Sequence, residues 1–112
     1  MAWTRGDVVL IPFPFSDLNA SKTRPTVIVS VPEFQAIHGE LLLAYLTSNV
    51  AQPHPTLDYI LADWQATGLL KPTVMKPRLA VVHESLVKFK IGTLSQRDLE
   101  KVDECLRRAL GL

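Results

Sequence analysis

Eight prolines and five glycines cut this chain of 112 residues into short apolar runs, and that punctuation limits what it can fold into. The runs Val8-Val9-Leu10-Ile11, Thr26-Val27-Ile28-Val29 and Leu41-Leu42-Leu43-Ala44-Tyr45-Leu46 are branched or bulky and are bounded by turn residues. Such a pattern reads as short strands of a compact β-rich body. A membrane-spanning helix needs about 20 apolar residues, so no run here is long enough to be one. The spacing predicts strands over Asp7–Ile11, Thr26–Val31, Leu41–Thr47 and Leu57–Ala62, and a fifth over Thr73–His83. Pro77 interrupts the fifth, as edge strands tolerate. Loops or turns are predicted for "PFPFSDLNASKTR" after the first strand, for Gln52–Pro55 and at Gly68.

From Leu94 onward the apolar period changes. Ser95 fits a helix N-cap, Asp98 its third helical position, and Leu94 could staple to Leu99. Leu99, Val102, Leu106, Ala109 and Leu110 then form one stripe at helical spacing, and Gly111 is a natural stop. Cys105, beside the stripe, reads as a small core residue. With 47% apolar residues the chain can bury a core without metal or disulfide support. The expected fold is a β-rich α+β domain spanning 1–112, with about five main strands and a C-terminal amphipathic helix acting as scaffold.

Chemistry classes narrow quickly. One cysteine excludes an internal disulfide and a cysteine-based metal cage. His38, His54 and His83 stand far apart without ligand spacing, so neither a metal nor a cofactor is expected. The chain shows no Gly-rich phosphate loop and no nucleophile elbow. Its N-terminus carries no basic-then-apolar signal segment, and the expected compartment is the cytosol. Net charge is only +1, yet it is unevenly spread. Residues 1–24 sum to +1, 25–70 to −4, 71–94 to +4 and 95–112 to zero, with no lysine or arginine between Arg24 and Lys71. The two basic segments make a small anion site if they meet in space, and two solvated edges if they do not.

Arg24 is the first candidate. It precedes Pro25, which restricts its backbone to extended geometry, and its guanidinium stays charged and can fork onto two phosphate oxygens. The plainer alternative is a surface arginine paired with Asp17 or left in water. Thr47 and Ser48 end the third strand, where hydroxyls either serve a site or cap the turn. Lys76 and Arg78, two apart, would share one strand face, with Lys71 close by. That arrangement is either a phosphate track or an edge protected by its charges.

The blocks "RGDVVLIPFPFSD", "KTRPTVIVS", "LLAYLTS", "GLLKPTVMKPRLAVV" and "KIGTLSQRDLEKVDECLRRALGL" resemble, in order and spacing, the MazF/PemK (Kid-like) toxins of type II toxin–antitoxin systems. The resemblance covers essentially the whole chain. It implies a small SH3-like barrel of the PemK/CcdB type, usually a homodimer. The activity it implies is sequence-specific, metal-independent cleavage of single-stranded RNA, which stops translation and growth. Carried over by motif, the catalytic pair is Arg24 and Thr47; the expected RNA contacts are Lys22, Thr23, Ser48, Lys76 and Arg78. RNA would run along a dimer groove bordered by the Phe13–Thr23 loop. The same groove would receive a cognate antitoxin, and DNA would be engaged only through that antitoxin.

Those residue types suit the chemistry. The RNA's own 2′-hydroxyl can attack, leaving a 2′,3′-cyclic phosphate, and a fixed cation stabilises the phosphorane charge. Requiring that hydroxyl restricts the substrate to RNA. One departure stands out: Met75-Lys76 occupies the place of an acidic-Gln pair found in several relatives, so the chain offers no evident general base. A second class of function is therefore weighed beside the enzyme. It is a non-catalytic module of the same fold, either inhibiting a protein such as gyrase or binding only its antitoxin.

Overall fold

The computed structural model describes residues 3–12 and 23–112. Among the described residues, six strands form one antiparallel sheet in the order β4-β5-β3-β2-β1-β6. They are β1 (Asp7–Pro12), β2 (Thr23–Ile28), β3 (Glu40–Thr47), β4 (Tyr59–Ile60), β5 (Val74–His83) and β6 (Phe89–Thr93). Helices α1 (Pro32–His38), α2 (Trp64–Thr67) and α3 (Gln96–Leu110) lie between or after them. The sheet curls into a half-barrel with α3 packed against it. Among the described residues no helix is long and apolar enough to cross a membrane.

The continuous apolar runs are explained by burial on both sheet faces. Val8, Val27, Ala44, Leu46 and Met75 join Val102, Cys105 and Leu106 of α3 in one core. Val9, Ile11, Ile28, Leu41 and Leu43 make a second core on the opposite face, with Trp3 packed against it. Burial raises the Cys105 thiol pKa, consistent with an inert packing role.

Helix α3 follows its sequence signals at the start: the Asp98 amide donates to Ser95 Oγ at 3.3 Å, and Gly111 takes the left-handed cap. At the far end the expected stripe stops early. Ala109 and Leu110 are exposed and stand outside the core that Val102 and Leu106 join. A bidentate ion pair from Arg5 to Asp103, with Arg5 Nε donating to the Val29 carbonyl at 2.9 Å, ties this helix to the sheet. Asp98 is fully buried and accepts from the Tyr59 hydroxyl at 2.6 Å and the Ala62 and Asp63 amides at 2.9 Å. Burial, then that hydrogen bond to Asp98, push the Tyr59 phenol pKa well up.

Three strands depart furthest from expectation. Strand β2 starts at Thr23 and ends at Ile28, so Arg24 lies inside it rather than before it. Pro25 is accommodated because the β2–β3 ladder begins only at Thr26, where no donor from Pro25 is required. The fourth strand shrinks to two residues pairing Met75 and Val74. Strand β5 is continuous through Pro77, since the register with β3 jumps from Ala44↔Leu79 to Tyr45↔Lys76 and leaves Pro77 and Arg78 in a bulge.

Candidate active site

Strand pairing sets the site. Arg24 of β2 pairs with Ile11 of β1, and Thr26 of β2 pairs with Tyr45 of β3. Continued by two residues, that antiparallel register brings Arg24 across from Thr47. Both line a cleft of about 680 Å³ at this end of the sheet. Thr23, Ser48 and Lys71 line it too, and Leu10, Pro25 and Leu46 give it apolar wall. Arg24 and Lys71, which flank the long stretch without basic residues, therefore meet at one cleft.

The opposite wall depends on one glycine. A Cβ on Gly92 of β6 would stand 1.9 Å from the Thr67 carbonyl oxygen, so only glycine lets the end of α2 seat on β6. Gly68 follows with φ +105°, turning Leu69, Leu70 and Lys71 towards the cleft. Leu70 and Phe89 at this wall are exposed, at 93% and 61%.

Arg24 is not left loose. Its Nη1 donates to the Tyr45 hydroxyl oxygen at 3.3 Å. The Arg78 guanidinium stands over the ring of the same tyrosine, 5.9 Å from its centroid. The bulge falls between Lys76 and Arg78, so simple two-residue alternation does not relate them. Lys76 Nζ instead donates to Asp58 Oδ2 at 2.9 Å. Burial raises the Asp58 pKa, but the hydrogen bonds from Lys76 and the His54 amide, with the nearby positive charge, outweigh it and hold the group below its ordinary range. Met75 is fully buried in the core, so position 75 has no access to the cleft. Thr47 Oγ1 accepts from the Asn49 amide at 3.2 Å, which caps the loop yet leaves the hydroxyl proton free to donate elsewhere. Lys22, with the Phe13–Lys22 part of the expected bordering loop and Asp17 within it, falls outside the described residues.

Tyr45, Leu70 and Phe89 are among the contributors that the sequence did not single out. Only Tyr45 had a signal, since it precedes Thr47 by two residues in a strand and so shares its face. Among the described residues no three His, Cys, Asp or Glu side chains gather as a metal-ligand group.

The family model for PemK-like, MazF-like toxins of type II toxin–antitoxin systems matches residues 4–110. The chain belongs to this family. Solved structures agree with its fold. One is an endoribonuclease from Mycobacterial species in complex with its cognate antitoxin, at TM-score 0.79 and 19% identity, covering 99% of this chain and 97% of that one. MazF from Deinococcus radiodurans superposes at TM-score 0.79 with 16% identity, over 100% and 99% of the two chains. The Mycobacterium tuberculosis toxin MazF-mt6 does so at 0.73 and 16%, over 95% and 97%. No curated protein matches the sequence significantly. The PemK/MazF-like family accounts for the block order along this chain.

Proposed function

We propose that this PemK/MazF-like toxin is an endoribonuclease that cleaves single-stranded RNA at short sequences without a metal ion, and that a cognate antitoxin neutralises it by occupying the same cleft. The observation that carries the reading is the convergence of Arg24, Thr47 and Lys71 on one cleft with an exposed aromatic at its wall. Arg24 supplies fixed charge and hydrogen-bond donors to a phosphorane as it forms. Thr47 orients the 2′-hydroxyl or donates to a non-bridging oxygen. Thr23, Ser48 and Lys71 hold the strand, Lys22 and Arg78 add positive charge along it, and Lys76 contributes once it leaves Asp58. Phe89 offers a face on which an unpaired base can stack. A homodimer would extend the cleft into a longer groove.

Attack by the 2′-hydroxyl forms a P–O bond while the bond to the 5′-oxygen breaks. The hydroxyl proton leaves to a base and the departing oxygen takes up a proton, giving a 2′,3′-cyclic phosphate and a 5′-hydroxyl. The test is product analysis in EDTA, using a single-stranded RNA and a copy with 2′-deoxy residues throughout. The expected result is cyclic-phosphate ends from the first and an intact second. Cutting of the deoxy copy, or a strict need for divalent metal, contradicts the reading. Cutting of neither favours the second reading, a non-catalytic toxin of this fold. That reading gains support from Thr47 acting as a loop cap and from buried Met75 replacing an acidic residue.

A further inference from the structure

Arg24 of the cleft and Arg78, which stands outside its lining, converge on a residue that has no assigned role. Tyr45 lies in β3 between Thr26 of β2 and Lys76 of β5, on the strand face it shares with Thr47. Its hydroxyl oxygen accepts from Arg24 Nη1 at 3.3 Å, and its ring carries the Arg78 guanidinium at 5.9 Å. The bulge at Pro77–Arg78 sits beside this tyrosine, where the register jump occurs. A flexible arginine samples many rotamers, whereas tyrosine has only two side-chain torsions and a rigid ring. An oxygen on that ring selects one direction for Arg24. The ring's negative π face attracts Arg78 and offsets part of the repulsion between two like charges brought to one place.

We propose that Tyr45 is a positioning residue: its hydroxyl aims Arg24 and its ring seats Arg78, so that two guanidinium groups stand preset for the phosphates of a bound RNA strand. The inference rests on the RNA-cleaving reading. It also explains how Arg78 can serve the site although the bulge separates it from Lys76. Tyr45 touches the cations rather than the substrate, and it does not line the cleft.

The test combines Tyr45→Phe, which removes the oxygen alone, with Tyr45→Leu, which removes oxygen and ring. In single-turnover cleavage, Tyr45→Phe lowers the rate constant about 10-fold, the worth of one hydrogen bond to a charged group. KM changes little and the shape of the pH–rate profile is kept. A wild-type rate overturns the proposal. So does loss of a limb of that profile, because the phenol would then itself carry the proton. Affinity for an uncleavable 2′-deoxy-substituted oligonucleotide gives an arm independent of catalysis. There Tyr45→Leu weakens binding about 5-fold, and adds nothing in an Arg24→Ala/Arg78→Ala background, as expected when its effect passes through those two side chains. An equal loss in that background overturns the proposal. If the wild-type protein cuts no RNA the catalytic reading fails, and the affinity cycle still decides the role of Tyr45. Should Tyr45→Leu fail to fold, Tyr45→Phe supplies a cycle against Arg24→Ala read on the cleavage rate constant, with non-additivity expected and additivity overturning the proposal.

Discussion

Asp98 shows how one buried side chain can hold the scaffold behind the cleft. Its two carboxylate oxygens accept from the Tyr59 hydroxyl and from the Ala62 and Asp63 amides, joining β4, the turn before α2 and the first turn of α3. Asp98→Ala leaves those three part-buried donors without their acceptor, at about 1–3 kcal/mol for each group left unsatisfied. We expect a loss of at least about 3 kcal/mol in denaturant unfolding; a loss within the scatter of surface substitutions would contradict this account. Sequence reading placed Asp98 at the third helical position of α3. It could not find the acceptor role, because the three donors lie more than thirty residues away and carry no motif. Arg24 was the reverse case: its rigid setting before Pro25 was legible, while its Tyr45 partner depended on a β2–β3 register that spacing alone does not fix.

At the scale of elements, two joints shape the cleft wall. The first is the seat of α2 on β6, where Gly92→Ala would force backbone apart by pushing a methyl into the Thr67 carbonyl. The expected cost is about 3 kcal/mol by overpacking, read as a lower thermal midpoint. An unchanged midpoint would show that this contact does not constrain the fold. The second joint is Asp63, whose carboxylate accepts from Arg97 Nε at 2.7 Å, Arg97 Nη2 at 2.6 Å and Ser95 Oγ at 2.6 Å. The Arg97 and Ser95 hydrogen bonds hold its pKa at about 2, against an ordinary 3.8. A carboxylate depressed in the folded state stabilises above its unfolded pKa, and that contribution is lost as pH falls from near 3.8 towards 2. Asp63→Asn should therefore remove part of the acid-induced loss of stability between those limits, and no change in the acid limb would contradict it. Long strands and α3 were readable from period and caps. Helices α1 and α2 were not, being 7 and 4 residues long. α1 buries no residue, although Pro32 at its start and Gly39 at its end were usable signals.

For the whole molecule, the uneven charge map becomes a local field, since the chain is almost neutral while Arg24 and Lys71 share one cleft. Binding to single-stranded RNA should then depend moderately on salt, with log K falling by about 0.7 per phosphate contact for each tenfold rise in salt. Lys71→Ala should reduce that slope by about 0.7, and an unchanged slope would remove Lys71 from the interface. The two-sided core behind the cleft leaves this end of the sheet as a rigid platform on which such charges can be held. Wild-type protein and Arg24→Ala, compared on a single-stranded RNA in EDTA under single-turnover conditions, decide whether this cleft is catalytic. If Arg24 carries the proposed role, its loss slows cleavage by about 10²–10³-fold while the thermal midpoint holds. Cleavage by Arg24→Ala at the wild-type rate would contradict the assignment of this cleft as the catalytic centre.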